Sequence, residues 1–149
     1  MSAYGRILVA VDGSAAAEAG LAESLRLAKG EGAVLCILHV VNEAVPYTPL
    51  VGAPPVNSMA LAVESGRRLL DEAREKAQKA GLQVSCVLLE STDRTASGGI
   101  LAQAENYRAD LIVLGTHGRR GLRRLVLGSD AEQVVRNASV PVLLVRAAS

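Results

Sequence analysis

Apolar residues cluster along the chain in five short runs: ILVAV at 7–11, AVLCILHV at 33–40, VSCVLL at 84–89, LIVL at 111–114 and VPVLLV at 140–145. The runs are rich in β-branched side chains and lack polar alternation, which predicts strands buried on both faces. Between them the apolar positions return at helical spacing. Leu21, Leu25 and Ala28 mark a first helix, Leu69, Ala73, Ala77 and Ala80 a second, Ile100, Ala104 and Tyr107 a third, and Ala131, Val134 and Ala138 a fourth. Strand and helix therefore alternate, which predicts parallel strands joined by right-handed helical crossovers with helices on both faces of the sheet. The expected fold is a doubly wound open α/β sheet, a single domain over residues 1–149. One piece breaks the alternation. NEAVPYTPLVGAPPVNS, at 42–58, carries four of the five prolines and is too long for a plain connector, so it is either a lid or a flexible insertion.

Composition says what the core is made of. Half of the residues are hydrophobic, yet there is no Phe or Trp and the only Tyr are Tyr4, Tyr47 and Tyr107. The interior must then be Val, Leu, Ile and Ala, which suits strands covered by Ala-rich helices. Cys36 and Cys86 lie inside aliphatic runs and form no metal or redox motif, so they are expected as small core residues. The 16 basic and 15 acidic residues leave a net charge of +1. Nucleic-acid and membrane-surface binders carry a large field of one sign, so neither partner is expected. No apolar run approaches the roughly 18 residues of a membrane span, and the first residues lack a signal-peptide pattern. A soluble cytoplasmic protein is expected.

The chemistry concentrates after the fourth strand, in GTHGRRGLRRLVLGSD at 115–130. In open parallel sheets ligands bind beyond the carboxyl ends of the strands, where the strand order reverses. This stretch starts at such an end. It finishes at a helix start, where Ser129 followed by Glu132 reads as a capping box. A helix N-terminus attracts anions through its unpaired N–H groups, and glycine lets backbone approach a phosphate without a Cβ in the way. The stretch is therefore either a phosphate cradle or a surface loop of solvated arginines ahead of an ordinary helix. Of Arg119, Arg120, Arg123 and Arg124, one or two are expected on phosphate and the rest in water. Asp12, in VDGSA, reads by itself as a turn or helix-cap residue.

Gly115, Gly118, Gly128 and Ser129 form the pattern G-x2-G-x9-G-S, which resembles the nucleotide-binding signature of the universal stress protein family. ILVAVDGSAAAE, LHVV, ADLIVLGTHGRRG and GSDAEQVVRNASVPVLLVR resemble that family's blocks in order and spacing, and only 42–58 and 90–98 depart. The resemblance implies a five-stranded sheet of order 3-2-1-4-5 that binds ATP with Mg or Mn. The main chain of Gly115, Gly118 and Gly128, with the Ser129 hydroxyl, then holds the phosphates. Asp12 faces the ribose or the metal, the backbone of Val40 addresses the adenine, and Val11 and Leu114 belong to the same binding set. His117 either donates to a phosphate or is an ordinary surface residue, and Arg119 offers charge. His39 is expected as a satisfied strand residue. Asp130 departs from the small or apolar residue common in ATP-binding relatives: it points to solvent, helps hold a metal, or weakens nucleotide binding. An exposed aliphatic edge strand invites pairing with a second copy, and the resemblance likewise implies a homodimer through Val140, Val142 and Leu144.

Other motifs are set aside. SGG at 97–99 lies before the third helix rather than after the first strand, and the chain has neither GxGxxG after that strand nor a P-loop. No nucleophile–base–acid set is visible. The expected function is a nucleotide-dependent sensor or regulator of the stress response, with slow or no ATP hydrolysis. The alternatives are a dimeric interaction protein without nucleotide, or a hydrolase or transferase that takes Glu43 or Tyr47 from the 42–58 segment.

Overall fold

All five apolar runs form strands, and the helical patterns between them form helices. The computed structural model describes residues 2–42, 58–91, 95–117 and 127–147. The elements are β1 (Arg6–Ala10), α1 (Ala15–Glu31), β2 (Val34–Asn42), α2 (Ser58–Lys79), β3 (Val84–Ser91), α3 (Ala96–Tyr107), β4 (Leu111–Gly115), α4 (Ser129–Asn137) and β5 (Val142–Val145). They build one parallel sheet of order β3-β2-β1-β4-β5. The strand order reverses between β1 and β4, where Val9 lies beside Val113.

Side chains of the central strands alternate between two cores, one on each face. Ile7, Val9, Leu35, Ile37 and Val113 meet Leu21 and Ala28 of α1 and Leu70, Ala73 and Ala77 of α2. Leu8, Cys36, Leu38, Ile112 and Leu114 meet Ile100 and Ala104 of α3 and Ala131 and Val134 of α4. Alanine on the helices lets them lie close to a sheet that is aliphatic on both sides. In α2 the buried stripe runs through Leu70, with Leu69 beside it, and Ala80 lies past the helix end.

Two strands depart from the expectation of burial on both faces. β3 and β5 send side chains toward both cores, yet their residues are at most half-buried. Both are edge strands, with a neighbour on one side only, so the covering helices shield them incompletely. Among the described residues no helix is long and apolar enough to cross a membrane. Glu43 and Tyr47 of the 42–58 segment lie outside the described residues.

Candidate functional site

The carboxyl end of β1 is held by β2. The Val11 N–H donates to the Leu38 carbonyl at 2.8 Å. The Val11 carbonyl accepts from Nδ1 of His39 at 2.7 Å, and since a carbonyl only accepts, the His39 proton sits on Nδ1. His39 is 6% exposed, so the satisfied strand residue expected from the sequence also fixes the backbone just before Asp12. Asp12 Oδ1 accepts the Ser14 N–H at 2.9 Å, closing a turn through Gly13 at φ 84°. Ser14 then caps α1, its Oγ accepting the Ala17 N–H at 3.2 Å. Asp12 is thus a turn residue whatever else it binds.

β4 ends against that same turn of α1. A Cβ built on Gly115 lies 2.7 Å from the Ala16 carbonyl carbon and from the Ala17 nitrogen. The missing side chain of Gly115 is therefore required by helix–strand packing, where the sequence reading gives it to phosphate approach. Beyond it, the Thr116 N–H donates to the Val145 carbonyl at 2.9 Å, and the Gly128 N–H donates to the Thr116 carbonyl at 2.7 Å. The chain leaves β4 and returns to the same spot twelve residues later. His117 Nδ1 lies 3.2 Å from Thr116 Oγ1. Gly118, Arg119, Arg120, Arg123 and Arg124 lie outside the described residues.

The start of α4 corrects one expectation. Gly128, not Ser129, is the N-cap, with φ −60° and ψ 150°, and it has no side chain with which to cap the helix. Ser129 is the first helical residue and is exposed. Glu132, placed by its main-chain bond to the Gly128 carbonyl, pairs with Arg136 at 2.8 Å instead of reaching back. Among the described residues no side chain caps the first turn of α4, and the helix start is tied to the end of β4 through the Gly128–Thr116 bond.

Asp130 takes a role absent from the three that the sequence leaves open. Its Oδ1 accepts the N–H groups of Ala96 and of Ser97, each at 3.0 Å. These open α3, whose own N-cap, Thr95, makes no side-chain cap bond. Asp130 thus caps a neighbouring helix across the fold, and sequence spacing carries no signal for that.

Val11, Asp12, Leu114, Gly115, His117, Gly128, Ser129 and Asp130 therefore gather at the carboxyl end of the β1–β4 pair, with Val40 near the end of β2. Backbone N–H groups there suit an anion. Among the described residues no three His, Cys, Asp or Glu side chains group as a metal site. Burial pushes the thiols of Cys36 and Cys86 up, so neither is a ready nucleophile. A shallow cleft of about 220 Å³ lies elsewhere, at the amino end of β4, lined by Leu101, Ala104, Ile112 and Val140 among others.

A parallel sheet of this order, with glycine backbone and a helix start at the carboxyl end of its switch point, defines a small doubly wound α/β domain, a fold in which ligands bind at that end. The model of the universal stress protein family matches residues 3–146, and the chain belongs to that family. A universal stress protein of Methanocaldococcus jannaschii is 33% identical over 147 residues, covering 96% of this chain and 82% of that one. Among solved structures, a family member from Burkholderia pseudomallei superposes with a TM-score of 0.75 at 32% identity, over 95% of this chain and 96% of that one. Two more distant members share the fold. One, solved in complex with cAMP, has a TM-score of 0.72 at 22% identity over 99% of this chain and 100% of that one. The other, from Archaeoglobus fulgidus in complex with dAMP, has a TM-score of 0.69 at 24% identity over 95% and 98%.

Proposed function

We propose that this chain is an adenine-nucleotide-binding regulator of the stress response, with ATP as its ligand. The observation that carries the reading is the meeting of three features at the strand-order switch: the Asp12–Ser14 turn, the end of β4 at Gly115, and the side-chain-free cap of α4 at Gly128. The main chain of Gly115, Gly118 and Gly128 and the Ser129 hydroxyl hold phosphate, with Arg119 and His117 beside it. Val11, Val40 and Leu114 border the nucleoside. Mg or Mn takes one or two carboxylates plus phosphate oxygens, and Asp12 is the carboxylate we assign to it. The complexes with cAMP and dAMP in this fold support an adenine ligand. Hydrolysis is slow or absent, because the sequence offers no set of residues to orient and activate a water. The protein works as a single cytoplasmic domain that pairs with a second copy along β5.

Calorimetric titration with ATP and Mg²⁺ tests the reading, run beside Gly128→Val. The φ and ψ of Gly128 are open to valine, so the added bulk blocks the phosphate approach without backbone strain, and a thermal melt of the variant checks that α4 still forms. Saturable micromolar binding by the wild type, weakened at least tenfold in the variant, is the expected result. A wild type that binds no adenine nucleotide overturns it and leaves the nucleotide-free interaction protein.

A further inference from the structure

We propose that Asp130 is a positioning residue of this site: it locks the first turn of α3 to the first turn of α4, and through α3 it sets the nucleoside-facing wall at Val40. The inference rests on the nucleotide reading above. One carboxylate oxygen takes both opening N–H groups of α3, each at 3.0 Å. Bonds of this kind are charge-assisted and face the positive end of a helix. Thr95 does not cap its own helix, and Ser97 is only 7% exposed. Without Asp130, its N–H loses its acceptor in a place that water reaches poorly.

The next link is Gly99, half a turn further along α3. A Cβ placed there lies 3.1 and 3.3 Å from the two γ-carbons of Val40 and 3.7 Å from Leu89 Cδ1. The backbone of α3 therefore rests on the Val40 side chain with little slack. The SGG stretch that the sequence leaves without a role thus has two contacts, Ser97 donating to Asp130 and Gly99 seating α3 on Val40. The phosphate end of the site is the start of α4, and the base end is Val40. Asp130 joins them.

The same residue has a second, opposite effect. Its charge sits one position after Ser129, in the first turn that receives the phosphates, and works against a polyanion there. The two effects separate by ligand. Wild type, Asp130→Asn and Asp130→Ala are titrated as full chains with MgATP and with inorganic tripolyphosphate. The asparagine oxygen still accepts both N–H groups while the charge is gone, so Asp130→Asn should bind ATP at least as tightly as the wild type. Asp130→Ala should bind ATP about tenfold more weakly, yet bind tripolyphosphate as well as or better than the wild type. Should Asp130→Ala melt below the assay temperature, Gly99→Ala reads the next link: its Cβ presses on Val40, and it should weaken ATP but not tripolyphosphate.

Equal ATP affinity for the two Asp130 variants overturns the proposal, as does a parallel loss of both ligands in Asp130→Ala. Wild type that binds ATP while Asp130→Ala titrates identically sinks this proposal alone. Wild type that binds no nucleotide sinks the functional reading and this proposal with it.

Discussion

Gly115 shows how one residue type serves a need that its neighbours in sequence do not reveal. The spacing of Gly115, Gly118 and Gly128 marks the stretch as special, and that much is legible. Its reason is not, because the atoms that exclude a side chain at Gly115 belong to Ala16 and Ala17, on the first helix. Gly115→Ala should therefore destabilise the fold by roughly 1–3 kcal/mol, the usual cost of overpacking. Urea denaturation would show a lower midpoint at an unchanged slope. A variant as stable as the wild type would mean that α1 gives way without cost. Asp130 makes the same point for a polar group: its partners lie 34 and 33 residues earlier, and nothing in its surroundings in sequence names them.

At the level of elements, helix starts decide the geometry of the site more than strand interiors do. Ser14 is the side-chain cap of α1 and sits directly after the Asp12 turn. Removing its hydroxyl in Ser14→Ala should cost about 1 kcal/mol, and Ser14→Asp should recover most of it. Thermal melts of the three proteins check the order, and an alanine variant that melts with the wild type would remove the cap from the account. The start of α4 was the less legible of the two. Ser129 and Glu132 have the spacing of a capping box, but the chain enters the helix one residue earlier, at Gly128, and the box cannot form from inside the first turn. That displacement leaves the N–H groups of the turn without a side-chain acceptor among the described residues, the condition in which a helix start can receive an anion.

For the molecule as a whole, the sheet ends at β5. Val142, Leu143, Leu144 and Val145 are each half-buried, and Val135 on the adjoining helix is 45% exposed. An aliphatic strand with one open edge is a template for pairing, and a closed two-fold pair uses the same edge from both copies. Light scattering should therefore find the wild type dimeric and Leu144→Asp monomeric at the same concentration. Val142→Asp should behave alike, and a melt of each variant separates loss of pairing from loss of the fold. A variant that stays dimeric places the interface elsewhere than Val140, Val142 and Leu144.

The chain's own pattern determines the class of fold. Apolar runs without alternation, separated by helical stripes, leave few arrangements besides a parallel sheet covered on both faces. The resemblance carried by the glycine pattern and its flanking blocks adds the strand order. Both are legible because periodicity is a local property, written within a few residues of itself. Tertiary structure alone decides which surfaces come within hydrogen-bonding distance. His39 holding Val11 from 28 residues away, Asp130 capping α3, Gly115 making room for α1, and the exposure of β3 and β5 all follow from the packing of distant segments. A hydrogen bond or a close contact depends on separations of about 3 Å between such segments, and spacing along the chain does not encode that distance.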